Sequence, residues 1–331
     1  MRQLSAYEKF WPVAGSFTIS RSSLQTIPTV WVEIRENGIV GKAECRPYAR
    51  YGDSVTSVLN EIEVIKRDIE NGLSRQTLNQ KLRPGPARNA LDCALWDLEA
   101  KQKQQTVASL LGLPEPKART TAFTLSLQSP ENMADAARKA SNFPLLKIKV
   151  DRKSALPCSL SVLNARPDAR LIIDANESLD PESLKNLIKS IPDAAIAMIE
   201  QPIHADIFLE SKLPTNIVIC ADESLHSETD FRGSDLETLW KQGYRAINIK
   251  LDKCGGLTAA YKLAEMAKSM GFEIMAGCMV GSSLAMAPML ILESFADILD
   301  LDGPLLLDKD CNHPLSYKGS IVHPPTSELW G

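Results

Sequence analysis

Little in this chain ties it to a lipid, a polyanion or a disulfide framework. Its 37 Lys and Arg against 41 Asp and Glu leave a formal charge of -4, too small and too balanced to form an electrostatic footprint for nucleic acid or an anionic membrane. The seven cysteines, Cys45, Cys93, Cys158, Cys220, Cys254, Cys278 and Cys311, are odd in number and well spread. They form no C-x-x-C pair and find no histidine spacing suited to zinc, which predicts reduced, mostly buried thiols and a cytoplasmic protein. The start, MRQLSAYEKFWPVAG, is interrupted by charges and Pro12 before any apolar stretch can act as a secretion signal. The most apolar late stretch, 277–292, is broken by Gly281, Ser282, Ser283 and Pro288, so it falls short of the roughly 18 continuous apolar residues of a membrane span.

The familiar phosphate and nucleophile motifs are missing too. No G-x-G-x-x-G follows an early strand-like run, and no G-x-x-x-x-G-K-[ST], G-x-S-x-G or H-E-x-x-H occurs. An open doubly wound sheet carrying a dinucleotide is therefore the poorer fold. What is present is bulk: at 331 residues and 44% hydrophobic, the chain can bury roughly 75% of its unfolded surface without disulfides or a structural metal.

The first hundred residues mix strand and helix patterns. TVWVEIRENGIVGKAEC reads as two strands around Asn37-Gly38, a strong hairpin signal. ARNALDCALWDLEAKQ, from Ala87, places Ala90, Leu91, Ala94, Leu95 and Leu98 at helical spacing, predicting one inward-facing apolar side. After GLPEPKAR the texture changes to eight short apolar runs, at 121–127, 145–150, 170–176, 194–202, 216–224, 245–251, 272–279 and 297–304, each followed by a helix-like stretch. Alternating strand and helix predict a parallel sheet, and eight units predict a closed (β/α) barrel preceded by an α+β part. The expected boundaries are 1–115 for the α+β part, 116–310 for the barrel and 311–331 for a C-terminal segment.

Barrel strands are almost wholly apolar, so ionisable residues inside or closing them are informative. Lys147 and Lys149 lie two apart and share a face, Asp174, Glu200 and Asp222 close the third, fourth and fifth runs, Lys250 closes the sixth, and Asp300 and Asp302 share a face at the end of the eighth. Three carboxylates converging at one rim need a compensating cation, and an all-oxygen donor set favours Mg²⁺ over zinc. Buried ion pairing between these lysines and acids is the alternative. It explains any single residue as well, but six of them on five strand ends less well.

With a substrate carboxylate on Mg²⁺, the charge of its enediolate is stabilised. A lysine of depressed pKa then removes the α-proton and a second lysine opposite returns it, which makes a racemase or epimerase. Lys147 is expected to neutralise the metal site.

Together K-x-K, I-D-A-N, I-E-Q-P, A-D-E-S and N-I-K-L-D-K-x-G-G resemble the muconate-lactonizing subgroup of the enolase superfamily over nearly the whole chain. That resemblance implies a (β/α)7β TIM-like barrel with an N-terminal α+β capping domain to which the C-terminal segment returns, with Asp174, Glu200 and Asp222 as metal ligands and Lys149 and Lys250 as the acid/base pair. D-L-D-G-P at 300–304 is similar to the D-x-D signature of the dipeptide epimerases, implying that Asp300 and Asp302 hold the substrate's α-ammonium. It further implies Arg21 as a partner for a glutamate side chain, Thr124 as a substrate contact, and an L-Ala-D/L-Glu-type dipeptide as the small-molecule partner, with a role in murein peptide recycling. Same-fold rivals are an o-succinylbenzoate synthase, an N-acylamino acid racemase and a dipeptide epimerase of other side-chain preference. A different class is a catalytically retired barrel that binds a small molecule. Neither nucleic acid nor membrane is an expected partner, and an oligomer is compatible with the sequence.

Overall fold

A computed structural model of the chain describes residues 2–209 and 216–331. The cap opens with three antiparallel strands, β1 (Gln3–Ile19), β2 (Ser22–Glu36) and β3 (Ile39–Cys45), in that order. The β2–β3 turn is the Asn37-Gly38 hairpin, with φ of 52° and 81°, the two positive values that a type I′ turn requires. Helices α1 (Val55–Glu70), α2 (Arg75–Lys81), α3 (Pro86–Lys103) and α4 (Val107–Leu111) follow.

Helix α3 departs from the expected one-sided pattern. Arg88, Asn89, Asp92 and Asp97 are as buried as its leucines, because the helix is sandwiched between the cap sheet and the barrel. On the sheet side a Cβ added to Gly41 of β3 would lie 2.1 Å from Ala94 O, so strand and helix meet backbone to backbone. On the barrel side Asp92 accepts from Thr258 N at 2.9 Å and Oγ1 at 2.6 Å, and Asn89 Nδ2 donates to Asp252 at 2.8 Å.

The short strand β4 (Arg119–Thr120) leads into the barrel: β5 (Phe123–Leu125), α5 (Pro130–Lys139), β6 (Leu145–Lys149), α6 (Ala155–Ala165), β7 (Arg170–Asp174), α7 (Pro181–Ser190), β8 (Ile196–Glu200), β9 (Ile219–Ala221), α8 (Gly233–Lys241), β10 (Ala246–Ile249), α9 (Leu251–Cys254), α10 (Leu257–Ser269), β11 (Glu273–Gly277), α11 (Ser283–Met286) and β12 (Ile298–Asp300). The eight strands β5 to β12 form one parallel sheet in sequence order. A parallel bridge between Thr121 and Leu299, with Ala122 N donating to Leu299 O at 2.8 Å, joins its two ends into a barrel. The strands are shorter than the apolar runs. Among the described residues the β8–β9 connection contributes no helix, and β12 is followed by a 3-10 turn, Gly303–Leu306.

Strands β13 (Tyr317–Lys318) and β14 (Ile321–Val322) pair with β4. The last residues then cross to the cap, where Trp330 Nε1 donates to Cys93 O at 3.1 Å and Gly331 N to Asp97 at 2.7 Å. All seven cysteines are unpaired thiols. No helix among the described residues is long and apolar enough to cross a membrane.

Strand periodicity builds the barrel interior in layers. Ile172, Met198, Cys220, Ala246 and Met275 form an apolar cluster separate from the main core. Two residues further along the same strands come Asp174, Glu200, Asp222, Asn248 and Gly277. Because alternate residues share a face, the inward row that is apolar low in the barrel is polar at its C-terminal rim.

Candidate active site

Register, not proximity in sequence, assembles the rim. Lys149 pairs with Asp174, and Asp174 with Glu200, as direct neighbours across β6, β7 and β8. Asp222 and Lys250 stand one residue past β9 and β10. The backbone turns sharply at this edge: Asn176, Glu177 and Gln201 have φ of 44°, 70° and 34°, a strained region for non-glycine residues that concentrates at functional sites.

The lysines and carboxylates interlock. Lys147 Nζ lies 2.6 Å from Glu200, 2.7 Å from Asp300 and 3.1 Å from Asp174. Lys149 Nζ donates to Asp174 at 2.5 Å. Lys250 Nζ donates to Asp222 Oδ2 at 2.7 Å and lies 3.9 Å from Glu200. The buried ion pairing weighed as an alternative is thus present, and it gathers every lysine and acid of the sequence pattern except Asp302. That residue instead accepts from Thr124 N at 2.5 Å.

Burial and these charges set the ionisation. Burial alone raises Asp174 and Asp222, but Lys149 and Lys147 for the first, and Lys250 and Lys253 for the second, outweigh it and hold both below the usual carboxylate range. Glu200, penalised by burial and by the Asp174 charge, rises to about 8. Asp302, buried beside Asp300, rises to about 7. Lys250 is shifted upward. Burial lowers it, but Asp222 and Glu200 outweigh burial and raise it.

Four participants escaped the sequence reading. Lys253 Nζ donates to Asp222 Oδ1 at 2.6 Å and Asp222 O at 2.7 Å. Asn248 Nδ2 donates to Glu200 at 2.7 Å, and a Cβ on Gly277 would fall 2.1 Å from Asn248 Oδ1, so the glycine makes room for that amide. A polar residue inside a buried strand, two before Lys250, was the available signal. Gln201 Oε1 accepts from Asp222 N and Ser224 N, both at 2.9 Å, and so fixes the loop that carries Asp222. Arg46, just after β3, lines the same pocket from the cap.

Arg21 occupies the β1–β2 turn, above the barrel mouth. It donates to Glu223 at 2.6 Å, Glu177 at 2.9 Å, Asn176 O at 2.8 Å and Tyr48 Oη at 3.2 Å, straddling cap and barrel. Arg50 adds two further bonds to Glu177 at 2.9 Å. Beneath them is a cavity of about 60 Å³ lined by Lys149, Lys250, Asp222, Glu223 and Arg46, with Phe17, Ile19, Leu24 and Met279 as its apolar side. Lys147, Asp300, Asp302 and Thr124 are not among its lining residues.

Among the described residues no three carboxylates close around a common point as a ready metal shell, since ammonium groups stand between them. The donor set nevertheless suits a hard divalent cation. It consists of three acids on neighbouring strand ends, their oxygens now held by the Lys147, Lys149 and Lys250 ammonium groups, whose place a metal would take.

Residues 1–112 match the mandelate racemase / muconate lactonizing enzyme N-terminal domain, and residues 131–328 match the enolase C-terminal domain-like family. The L-Ala-D/L-Glu epimerase of Escherichia coli K12 is 41% identical over 98% of this chain and 100% of its own length. An N-acetyl-D-glutamate racemase from a Pseudoalteromonas species is 40% identical over 91% of this chain and 94% of its own. Among solved structures, an enolase family member from Agrobacterium tumefaciens with homology to dipeptide epimerases, holding sodium and L-Ala-L-Glu, superposes with a TM-score of 0.92. It is 43% identical, with full coverage of both chains.

Proposed function

The chain belongs to the mandelate racemase / muconate lactonizing enzyme family of the enolase superfamily, and from that premise we propose that it is a magnesium-dependent dipeptide epimerase acting on L-Ala-D/L-Glu-type substrates. The observation that carries this reading is that Lys149 and Lys250, from strand ends four apart in the barrel, line one small cavity. A two-base inversion at carbon needs one proton acceptor and one donor on opposite sides of the substrate, with the roles exchanged for the reverse direction.

In this reading Asp174, Glu200 and Asp222 are the metal ligands. A divalent cation held there supplies neutralisation of the negative charge that develops on the substrate carboxylate. With Asp222 and Glu200 neutralised, burial becomes the larger influence on Lys250 and favours its neutral amine. Lys149 and Lys250 take and return the α-proton. Lys147 balances the acids from below, and Gln201, Asn248 and Lys253 hold the ligand carboxylates in place. Asp300 and Asp302 receive the α-ammonium, with Thr124 positioning Asp302. Such a substrate suits a cytoplasmic enzyme that salvages murein peptides.

The 40% identical relative favours a second reading, racemisation of an N-acylated glutamate. Asp300 Oδ1, buried without a hydrogen-bond partner, supports the dipeptide instead, since the alanine ammonium supplies a charged donor where the methyl of an acetyl group supplies none. Proton NMR in D₂O with Mg²⁺ tests both. The α-proton signal of the second residue of L-Ala-L-Glu is expected to disappear with inversion, and N-acetyl-glutamate to exchange far more slowly. Lys149→Ala and Lys250→Ala are each expected to abolish inversion, one retaining exchange only from the L-epimer and the other only from the D-epimer. Absence of exchange on every dipeptide, with folded and metal-loaded protein, sinks the proposal.

A further inference from the structure

Three arginines are almost fully buried, Arg46, Arg88 and Arg166, and two of them are saturated. Arg88 donates to Gly255 O, Asn79 O, Leu82 O, Cys254 O and Asp230. Arg166 donates to Ala137 O, Ala140 O, Phe143 O and both oxygens of Asp168. This is the ordinary condition for a buried guanidinium, whose five donors and fixed charge are costly to strip of water without partners.

Arg46 is the exception. Its backbone N–H is anchored to Asp252 Oδ1 at 3.1 Å, which fixes where the side chain starts. The residue is 8% exposed, and its guanidinium has a single hydrogen bond among the described residues, a long one from Nη1 to Val280 O at 3.4 Å. No carboxylate among them lies within ion-pair distance. The residue lines the cavity it shares with Lys149 and Lys250, and none of its nitrogens is among the fully buried polar atoms left without a partner. Phe17, Ile19, Leu24 and Met279 complete that cavity and lower the local dielectric, which strengthens any ion pair made there. The other arginine over the site, Arg21, already holds Glu177 and Glu223.

We propose that Arg46 is a specificity-determining residue whose guanidinium receives the side-chain carboxylate of the residue being epimerised, restricting the enzyme to acidic side chains. The assignment rests on the dipeptide-epimerase reading and deepens it. The selection works in both directions. A glutamate or aspartate side chain supplies the missing partner, whereas an apolar side chain of similar length leaves a desolvated cation unpaired.

The test compares L-Ala-L-Glu with L-Ala-L-Met on the Mg²⁺-loaded enzyme, the two side chains being similar in length and opposite in polarity. In the native chain kcat/KM for the glutamate dipeptide is expected to exceed that for the methionine dipeptide by on the order of a hundredfold or more. Arg46→Met is expected to erase that ratio, by losing activity on L-Ala-L-Glu while keeping or gaining it on L-Ala-L-Met. A purely structural role lowers both rates together and leaves the ratio standing. Arg46→Gln, a smaller disturbance of a buried site, is read the same way should the methionine variant fold poorly. Calorimetric binding of L-Ala-L-Glu is expected to weaken in parallel. A native ratio near one, or a ratio that survives both substitutions, overturns the assignment while leaving the epimerase reading intact. Failure of the native enzyme to exchange any dipeptide overturns both.

Discussion

Lys147 on β6 and Asp300 at the end of β12 meet at 2.7 Å, across the strand β5 that separates them in the barrel. The same ammonium reaches Glu200 and Asp174, so one buried cation joins acids from three strands. Asp300, Glu200 and Asp174 together outweigh burial and hold Lys147 well above its ordinary pKa.

Replacing that cation with an isosteric neutral side chain leaves three buried carboxylates facing one another. Lys147→Met is expected to destabilise the metal-free protein by about 3–5 kcal/mol, as breaking a buried pair does. Urea titration with and without Mg²⁺ checks this, and the loss should shrink when the metal is present.

Metal removal has the opposite character in the native chain. Because lysines already pair with Asp174, Glu200 and Asp222, chelation with EDTA is expected to abolish α-proton exchange without unfolding the barrel. Far-UV circular dichroism should be unchanged, and calorimetry should show a single cooperative transition. A chelated protein that loses its secondary structure contradicts this account.

Three carboxyls away from the lysine cluster predict an unusual pH response. Glu44 accepts from Trp11 Nε1 at 3.1 Å and from Ser282 N at 2.9 Å, yet burial pushes it up to about 7. Burial likewise raises Asp92 and Asp252 to about 6. Between the ordinary values, 3.8 for the aspartates and 4.5 for Glu44, and the raised ones of about 6 and about 7, the folded chain holds protons that the unfolded chain has released, so stability falls as pH rises through that window. Glu44 alone accounts for about 3 kcal/mol of that fall. Denaturant titrations at pH 5 and pH 7 are expected to show a smaller difference for Glu44→Gln than for the native chain.

The seam between β3 and α3 has no slack. Gly41→Ala places a methyl 2.1 Å from Ala94 O and 2.7 Å from Leu98 Cβ, and backbone cannot rotate aside as a side chain does. The expected cost is about 1–3 kcal/mol, or more if the helix must shift as a unit. A fall in thermal midpoint with secondary structure retained is the result to look for.

The alternation of apolar runs determined the eight barrel strands, the Asn37-Gly38 turn and the ionisable strand ends, because backbone periodicity and the cost of burying charge act locally and leave a readable pattern. Asp174, Glu200, Lys149 and Lys250 stood out for that reason, each a charge closing a run such as RLIID or INIK. Helix α3 was half legible. Its apolar face was plain, but nothing local marked Arg88, Asp92 and Asp97 as buried, since their partners Gly255, Thr258 and Gly331 lie more than 160 residues away. The same holds at the site. Which acid neutralises which lysine is set by strand register and barrel closure, and Arg46, unremarkable in AECRPYAR, differs from Arg88 and Arg166 only in the partners that the folded chain withholds from it. Periodicity speaks for single segments, whereas charge compensation is a property of surfaces that meet only when the barrel closes beneath its cap.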